Sequence, residues 1–146
     1  DNIKTIDELV KFMEKEYYTF DSFSVGKYKA VEGLFLEQDG NNYIYGYSER
    51  GHKDIYKIFS DEIEAVQYVL NQISEGQVDN SHLVAWTWNN NEIDAAEREL
   101  QALFIPFKRN DIPNFDSDGR TAYRIFVEGK NIQYLTDFKK KYMCTL

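Results

Sequence analysis

Apolar and polar residues alternate with a period of two and then a helical period between Asn42 and Ile73. Tyr43, Tyr45 and Tyr47 alternate with Ile44, Gly46 and Ser48, which sends successive side chains to opposite faces of a strand. Glu49, Arg50 and Gly51 reverse the chain, and residues 54–59 alternate again. Ile63, Val66, Val69, Leu70 and Ile73 recur at helical spacing, predicting a helix over 60–75. Ser60 is placed to cap it, and Asp61, Glu62 and Glu64 put negative charge at the positive end of its dipole. Upstream, Thr5-Ile6-Asp7-Glu8 is a capping box leading into the apolar stripe Leu9, Phe12, Met13 and Tyr17. Residues 18–30 carry no clear period, with Gly26 as a bend. Residues 33–38 read as a strand and Asp39-Gly40-Asn41 as a hairpin turn. Three strands in an antiparallel meander, covered on one face by a helix, follow from this half.

The second half repeats the vocabulary after a boundary at Gly76 to Ser81. Leu83 to Trp88 is apolar and β-rich, and Asn91 is placed to cap a helix over 92–104. Ile93, Ala96, Leu100, Leu103 and Phe104 would face inward there, with Asp94, Glu97, Arg98 and Gln101 outward. Residues 105–109 read as a short strand whose Pro106 indicates an edge. A loop over 110–120, a strand over 121–127, a turn at Gly129 and a helix over 131–142 ending on Lys139, Lys140 and Lys141 complete the chain. The expected fold is α+β: one domain over residues 1–146, a mainly antiparallel sheet with helices packed on it. The length suits a single domain.

Charge narrows the partners. The chain has 17 basic and 25 acidic side chains, formally −8, which argues against nucleic acid and favours a basic partner. Residues 1–75 hold 8 basic and 15 acidic groups, hence −7, against 9 and 10, hence −1, for residues 76–146. Solubility alone makes many domains acidic, and composition by itself favours that plain reading. The single cysteine, Cys144, allows neither an intramolecular disulfide nor a cysteine zinc site. No apolar run approaches about 18 residues, so no membrane span and a cytoplasmic location are expected. The first residue is Asp1 rather than Met, as when an upstream segment has been removed.

Few motifs carry chemistry. Asn114-Phe115-Asp116-Ser117-Asp118-Gly119 imitates the start of a calcium loop, but its twelfth position is Ile125 where a bidentate carboxylate is needed. An Asx-rich turn is the better reading. His52 and His82 have no metal-ligand spacing, and no phosphate loop or nucleophile motif occurs. No cofactor, no metal and no catalysis are expected. Three features suit a binding protein. Asp61, Glu62, Glu64, Asp94 and Glu97 could steer a basic partner from helix faces, or simply solvate them. The tyrosine row offers an aromatic surface, although three aromatics on one strand face are usually core. Asp111, Asp116 and Asp118 surround Phe115 in a loop, as an anchor among acids or as a polar connector.

The tyrosine-rich strand, Ser48-Glu49-Arg50-Gly51, the strand ending in Phe59 and the acidic-capped helix with Glu62, Ala65 and Tyr68 resemble small immunity proteins of bacterial polymorphic toxin systems. Tyr123 to Gly129 before the last helix resembles the C-terminal part of the same families. The resemblance covers a third to a half of the chain. It implies an antitoxin of a contact-dependent growth inhibition or related secreted-toxin system. Such a protein binds the C-terminal domain of its cognate toxin and blocks the active site without catalysis; the oligomeric state is left open, with a monomer favoured. The acidity points to a basic toxin such as a nuclease. The alternative is a small-molecule or peptide-binding module using a cleft between sheet and helix. A metal-independent enzyme stands third.

Overall fold

Thr5 starts the first helix, α1 (Ile6–Lys15), in the computed structural model, which describes residues 2–143. Its hydroxyl accepts the Glu8 N–H at 3.1 Å, and the Glu8 carboxylate accepts the N–H groups of Thr5 and Lys4 at 3.1 and 2.9 Å. This reciprocal cap satisfies donors that the helix itself leaves free. The contacts divide the chain into two compact units, Asp1–Asp79 and Asn80–Leu146, a division that falls inside the expected boundary. The fold is α+β. Cys144 lies outside the described residues.

In the first unit β1 (Phe23–Val25), β2 (Gly33–Asp39), β3 (Asn42–Glu49) and β4 (His52–Phe59) form one sheet in that order. The β2-β3-β4 meander is the expected one. β1 is the addition: three residues from the aperiodic stretch, paired parallel to β2 with Phe23 opposite Leu34. α2 (Glu62–Ser74) begins one residue later than Ser60 would place it, because Asp61 is the cap and accepts the Ile63 N–H at 3.2 Å. Ile63 is left exposed, while Ala65, Val66 and Val69 turn inward. Leu9, Met13, Phe23, Leu36, Tyr45 and Val66 form the core. Tyr45 is 2% exposed and meets Tyr68 edge-on at 5.3 Å. Burial pushes its hydroxyl up to about 12. With Tyr43 packed on the same cluster, the tyrosine row is chiefly core.

β4 forms one edge of this sheet. Its pairing with β3 shifts between Tyr45 and Gly46, leaving Tyr56 as the extra residue of a bulge. Ile55, Tyr56 and Ile58 are all more than half exposed. Lys53 and Lys57 on the same strand, together with the bulge, are devices that discourage pairing between edges.

In the second unit β5 (Ser81–Thr87), β6 (Lys108–Ile112) and β7 (Ala122–Glu128) form an antiparallel sheet in the order β5-β7-β6. α3 (Asn90–Ala102) joins β5 to β6, and a 3₁₀ turn (Gly129–Tyr134) leads from β7 into α4 (Thr136–Tyr142). The expected helix over 131–142 is thus broken in two, with its three lysines in the last turn. Val84, Ile93, Leu100, Ile125, Leu135 and Phe138 make the core. Asn89, not Asn91, caps α3; its side chain accepts the N–H groups of Asn91 and Glu92. The short strand lies at Lys108–Ile112, not 105–109, which leaves Pro106 ahead of it.

α3 also ends earlier than the apolar spacing predicts. The Phe104 N–H donates to the Gln101 carbonyl and the Ile105 N–H to that of Leu100, each at 3.1 Å, the paired bonds that close a helix through a left-handed residue. Phe104 is that residue, at φ 57°. It is 92% exposed, and Leu103 points out as well, contrary to expectation. Glycine fills the corresponding place after α2, as Gly76 at φ 77°. Phe104→Gly should therefore stabilise the protein by roughly 0.5 kcal/mol, the relief of left-handed strain outweighing the added freedom of the unfolded chain. A higher denaturant midpoint with unchanged slope is the expected observation.

Candidate functional site

The division into units also divides the charge. Residues 1–79 hold 8 basic and 16 acidic groups, a net −8, and residues 80–146 hold 9 of each, a net of zero. Within each unit the expected acidic residues serve separate local roles. Asp61 is spent as a helix cap. Glu62 accepts the Ile6 N–H at 2.8 Å, tying together the starts of α1 and α2. Glu64 is exposed and makes no ion pair among the described residues.

Asp94 and Glu97, expected to face outward, converge with Asp111 on one guanidinium. Nη1 of Arg109 donates to Asp94 and to Glu97, each at 2.8 Å, and Nε to Asp111 at 2.9 Å. Nη2 reaches the Asn90 side-chain oxygen at 2.8 Å. Tyr123 lies beneath the group at 5.5 Å. The bonds from Asp111, then Asp94 and Glu97, raise the Arg109 pKa against the opposing effect of burial. The cluster clasps α3 to β6.

Asp116 and Asp118 close on Arg120, at 3.0 and 2.5 Å. The Ser117 N–H and the Arg120 guanidinium hold the Asp116 carboxyl below its ordinary value. Asn114 at φ 53°, Gly119 at φ 79° and a Phe115 N–H bond to the Arg120 carbonyl at 2.9 Å shape the loop. The calcium-like spacing is therefore an Asx-rich turn closed by an arginine.

That turn lays aromatic groups onto the sheet. Arg120 lies 3.7 Å over the Trp88 ring. Trp86 and Trp88 meet at 4.6 Å, and Phe115 contacts them at 5.6 and 5.9 Å, all close to edge-on. Phe115 remains 47% exposed. These residues lie on the sheet face opposite the core of α3 and α4, because neither Trp86, Arg124 nor Phe126 joins that core. Register places Trp86, Arg124 and Asn110 in one row across the three strands, and Leu83, Phe126 and Lys108 in the next. Sequence reading singled out Phe115 and missed Trp86, Trp88, Arg120 and Arg124. The spacing of two between the tryptophans was a signal that both share a face.

The recesses differ in character: that of Pro106, Phe107 and Phe126 in the second unit is chiefly apolar, whereas that of Asp7, Lys29, Glu37 and Glu62 in the first is polar. The polar one is about 550 Å³, and three others are 160 to 270 Å³. Among the described residues no group of three His, Cys, Asp or Glu side chains is placed to hold a metal, and no helix is long and apolar enough to cross a membrane. His52 pairs with Asp54 at 3.0 Å on the exposed strand β4.

Acid should weaken the fold. Glu8 is lowered by the N–H groups of Lys4 and Thr5, Glu14 by the Tyr28 hydroxyl, and Glu99 by the Tyr142 hydroxyl and Lys141. A carboxyl lowered in the folded state binds fewer protons there than in the unfolded chain. It contributes stability above its ordinary value, 4.5 for these three, and loses it as pH falls through the lowered folded value. Urea midpoints should hold steady from neutral pH to about 5 and then fall, with a flatter acid limb for Glu99→Gln.

No family model, curated protein or solved structure matches the chain.

Proposed function

We propose that this chain is an immunity protein that binds the toxic domain of a cognate, basic toxin and covers its active site, acting by affinity and without catalysis in the cytoplasm. The observation that carries the reading is the Trp86–Trp88–Phe115–Arg120 cluster. Tryptophan and arginine are the side chains most enriched where binding energy concentrates. Ion pairs to Asp116 and Asp118 hold the loop in place before any partner arrives, which lowers the ordering cost of association. The net −8 of residues 1–79 supplies long-range attraction to a basic partner. The small-molecule alternative calls for an enclosed apolar recess with a few convergent polar groups. The recess of about 550 Å³ is bounded mainly by charged and polar side chains, and the apolar one beside Phe126 is only about 160 Å³.

Trp88→Ala and Phe115→Ala should each weaken toxin binding by about 30-fold or more, as central aromatic anchors do. The check is protection of growing cells that express the toxin domain. Undiminished protection by both variants would remove this face from the account.

A further inference from the structure

Three arginines stand on or beside the second sheet, and they are not treated alike. Arg109 is filled by Asp94, Glu97 and Asp111, and Arg120 by Asp116 and Asp118. Arg124, on the central strand β7, makes no ion pair among the described residues, and its buried Nε has no hydrogen-bond acceptor. Its guanidinium lies 5.0 Å from the Phe126 ring. Trp86 and Asn110 flank it across the sheet. A half-buried cation with apolar neighbours and no anion is a group whose electrostatic complement is absent from its own unit.

We infer that Arg124 receives an aspartate or glutamate carboxylate presented by the partner protein between apolar side chains. This deepens the proposed function and rests on it. The setting favours a carboxylate carried beside an apolar group: the half-buried Phe126 ring lies next to the guanidinium, which matches one carboxylate in a forked pair. A phosphate backbone would ask for several free cations on this face, but Arg120 and Lys108 already have Asp116, Asp118 and Glu128 beside them. Against a partner drawn in by negative charge, one pair of reversed sign fixes the docking register. It also rejects a partner that brings a cation to that point.

The test begins on the free protein, so that its outcome does not depend on the toxin. ¹⁵N spectra follow the Arg124 Nε–H, assigned by its loss in Arg124→Lys, during titration with 3-phenylpropionate. Inorganic phosphate and sodium chloride at matched ionic strength serve as references. A saturating shift of the Arg124 signal with phenylpropionate, and none with chloride, is the expected result. A response to phosphate alone, or to no anion, overturns the inference while leaving the immunity reading standing. With the toxin domain, Arg124→Gln should bind about 30-fold more weakly, and Arg124→Glu should recover when one toxin carboxylate is replaced by arginine. Equal toxin affinity for Arg124→Gln and wild type would also overturn it.

Discussion

Gly46→Ala is expected to cost about 3 kcal/mol of stability, the upper end of what overpacking normally does. A Cβ at this position would stand 2.0 Å from the Asp54 carbonyl oxygen and 3.0 Å from the Ile55 Cα. Both are backbone atoms, so no rotamer change makes room. The close approach comes from the bulge: Tyr45 pairs with Lys57 and Gly46 with Ile55, and the strand carrying Tyr56 between them presses against β3. To admit a methyl group β4 must move away from β3 and give up pairing on both sides of the bulge. Gly40→Ala is the natural comparison. It has open space around it but sits at φ 62°, so its penalty should be only about 1 kcal/mol. Urea denaturation of the two variants measures the difference. A Gly46→Ala midpoint equal to that of Gly40→Ala would mean that the strands do not approach as described.

Arg109→Met should cost about 2 kcal/mol. The substitution keeps much of the side chain's apolar length but leaves Asp94, Glu97 and Asp111 facing one another without a cation. Removing one member of a buried ion pair typically costs about 3–5 kcal/mol, whereas exposed pairs contribute about 1 kcal/mol or less. Arg109 is 23% exposed and its partners 26 to 40%, so solvent screening puts the figure between those limits. Arg98→Met, on the exposed side of the same helix, should change stability by less than about 0.5 kcal/mol. Chemical denaturation at low and high salt separates the two effects, because salt should shrink the Arg109→Met deficit by screening the three carboxylates. A deficit below about 0.5 kcal/mol at both salts would reduce the clasp to an ordinary surface cluster.

Much of the fold was legible wherever neighbours in sequence decide it. The Thr5 box, the hairpin at Asp39-Gly40 and the alternation of Tyr43 to Ser48 each use interactions within a few residues, and each appears in the structure. What resisted were features settled at long range or by an unusual residue. β1 is only three residues long and exists because β2 offers it an edge, so it leaves no period to detect. α3 stops through Phe104 in a left-handed conformation where the usual signal is glycine, and an apolar residue in that place read as one more inward position. The site followed the same rule. Asp94 and Glu97 share a helix face by their spacing of three, but the cation that claims them comes from β6. Phe115 was marked by its setting among acids; its tryptophan partners belong to another strand and are brought to it by the fold.

Under the proposed function the protein grips another protein through the face built by Trp86, Trp88 and Phe115. The most direct measurement is co-purification of the wild-type chain and the Trp88→Ala/Phe115→Ala variant from the source cells at low and high salt, with retained partners identified by mass. The proposed function requires wild type to hold a basic toxin domain at both salt concentrations, with association slowed at high salt, and the variant to lose that domain. Recovery of wild type as free protein, or equal retention by the variant, would contradict it.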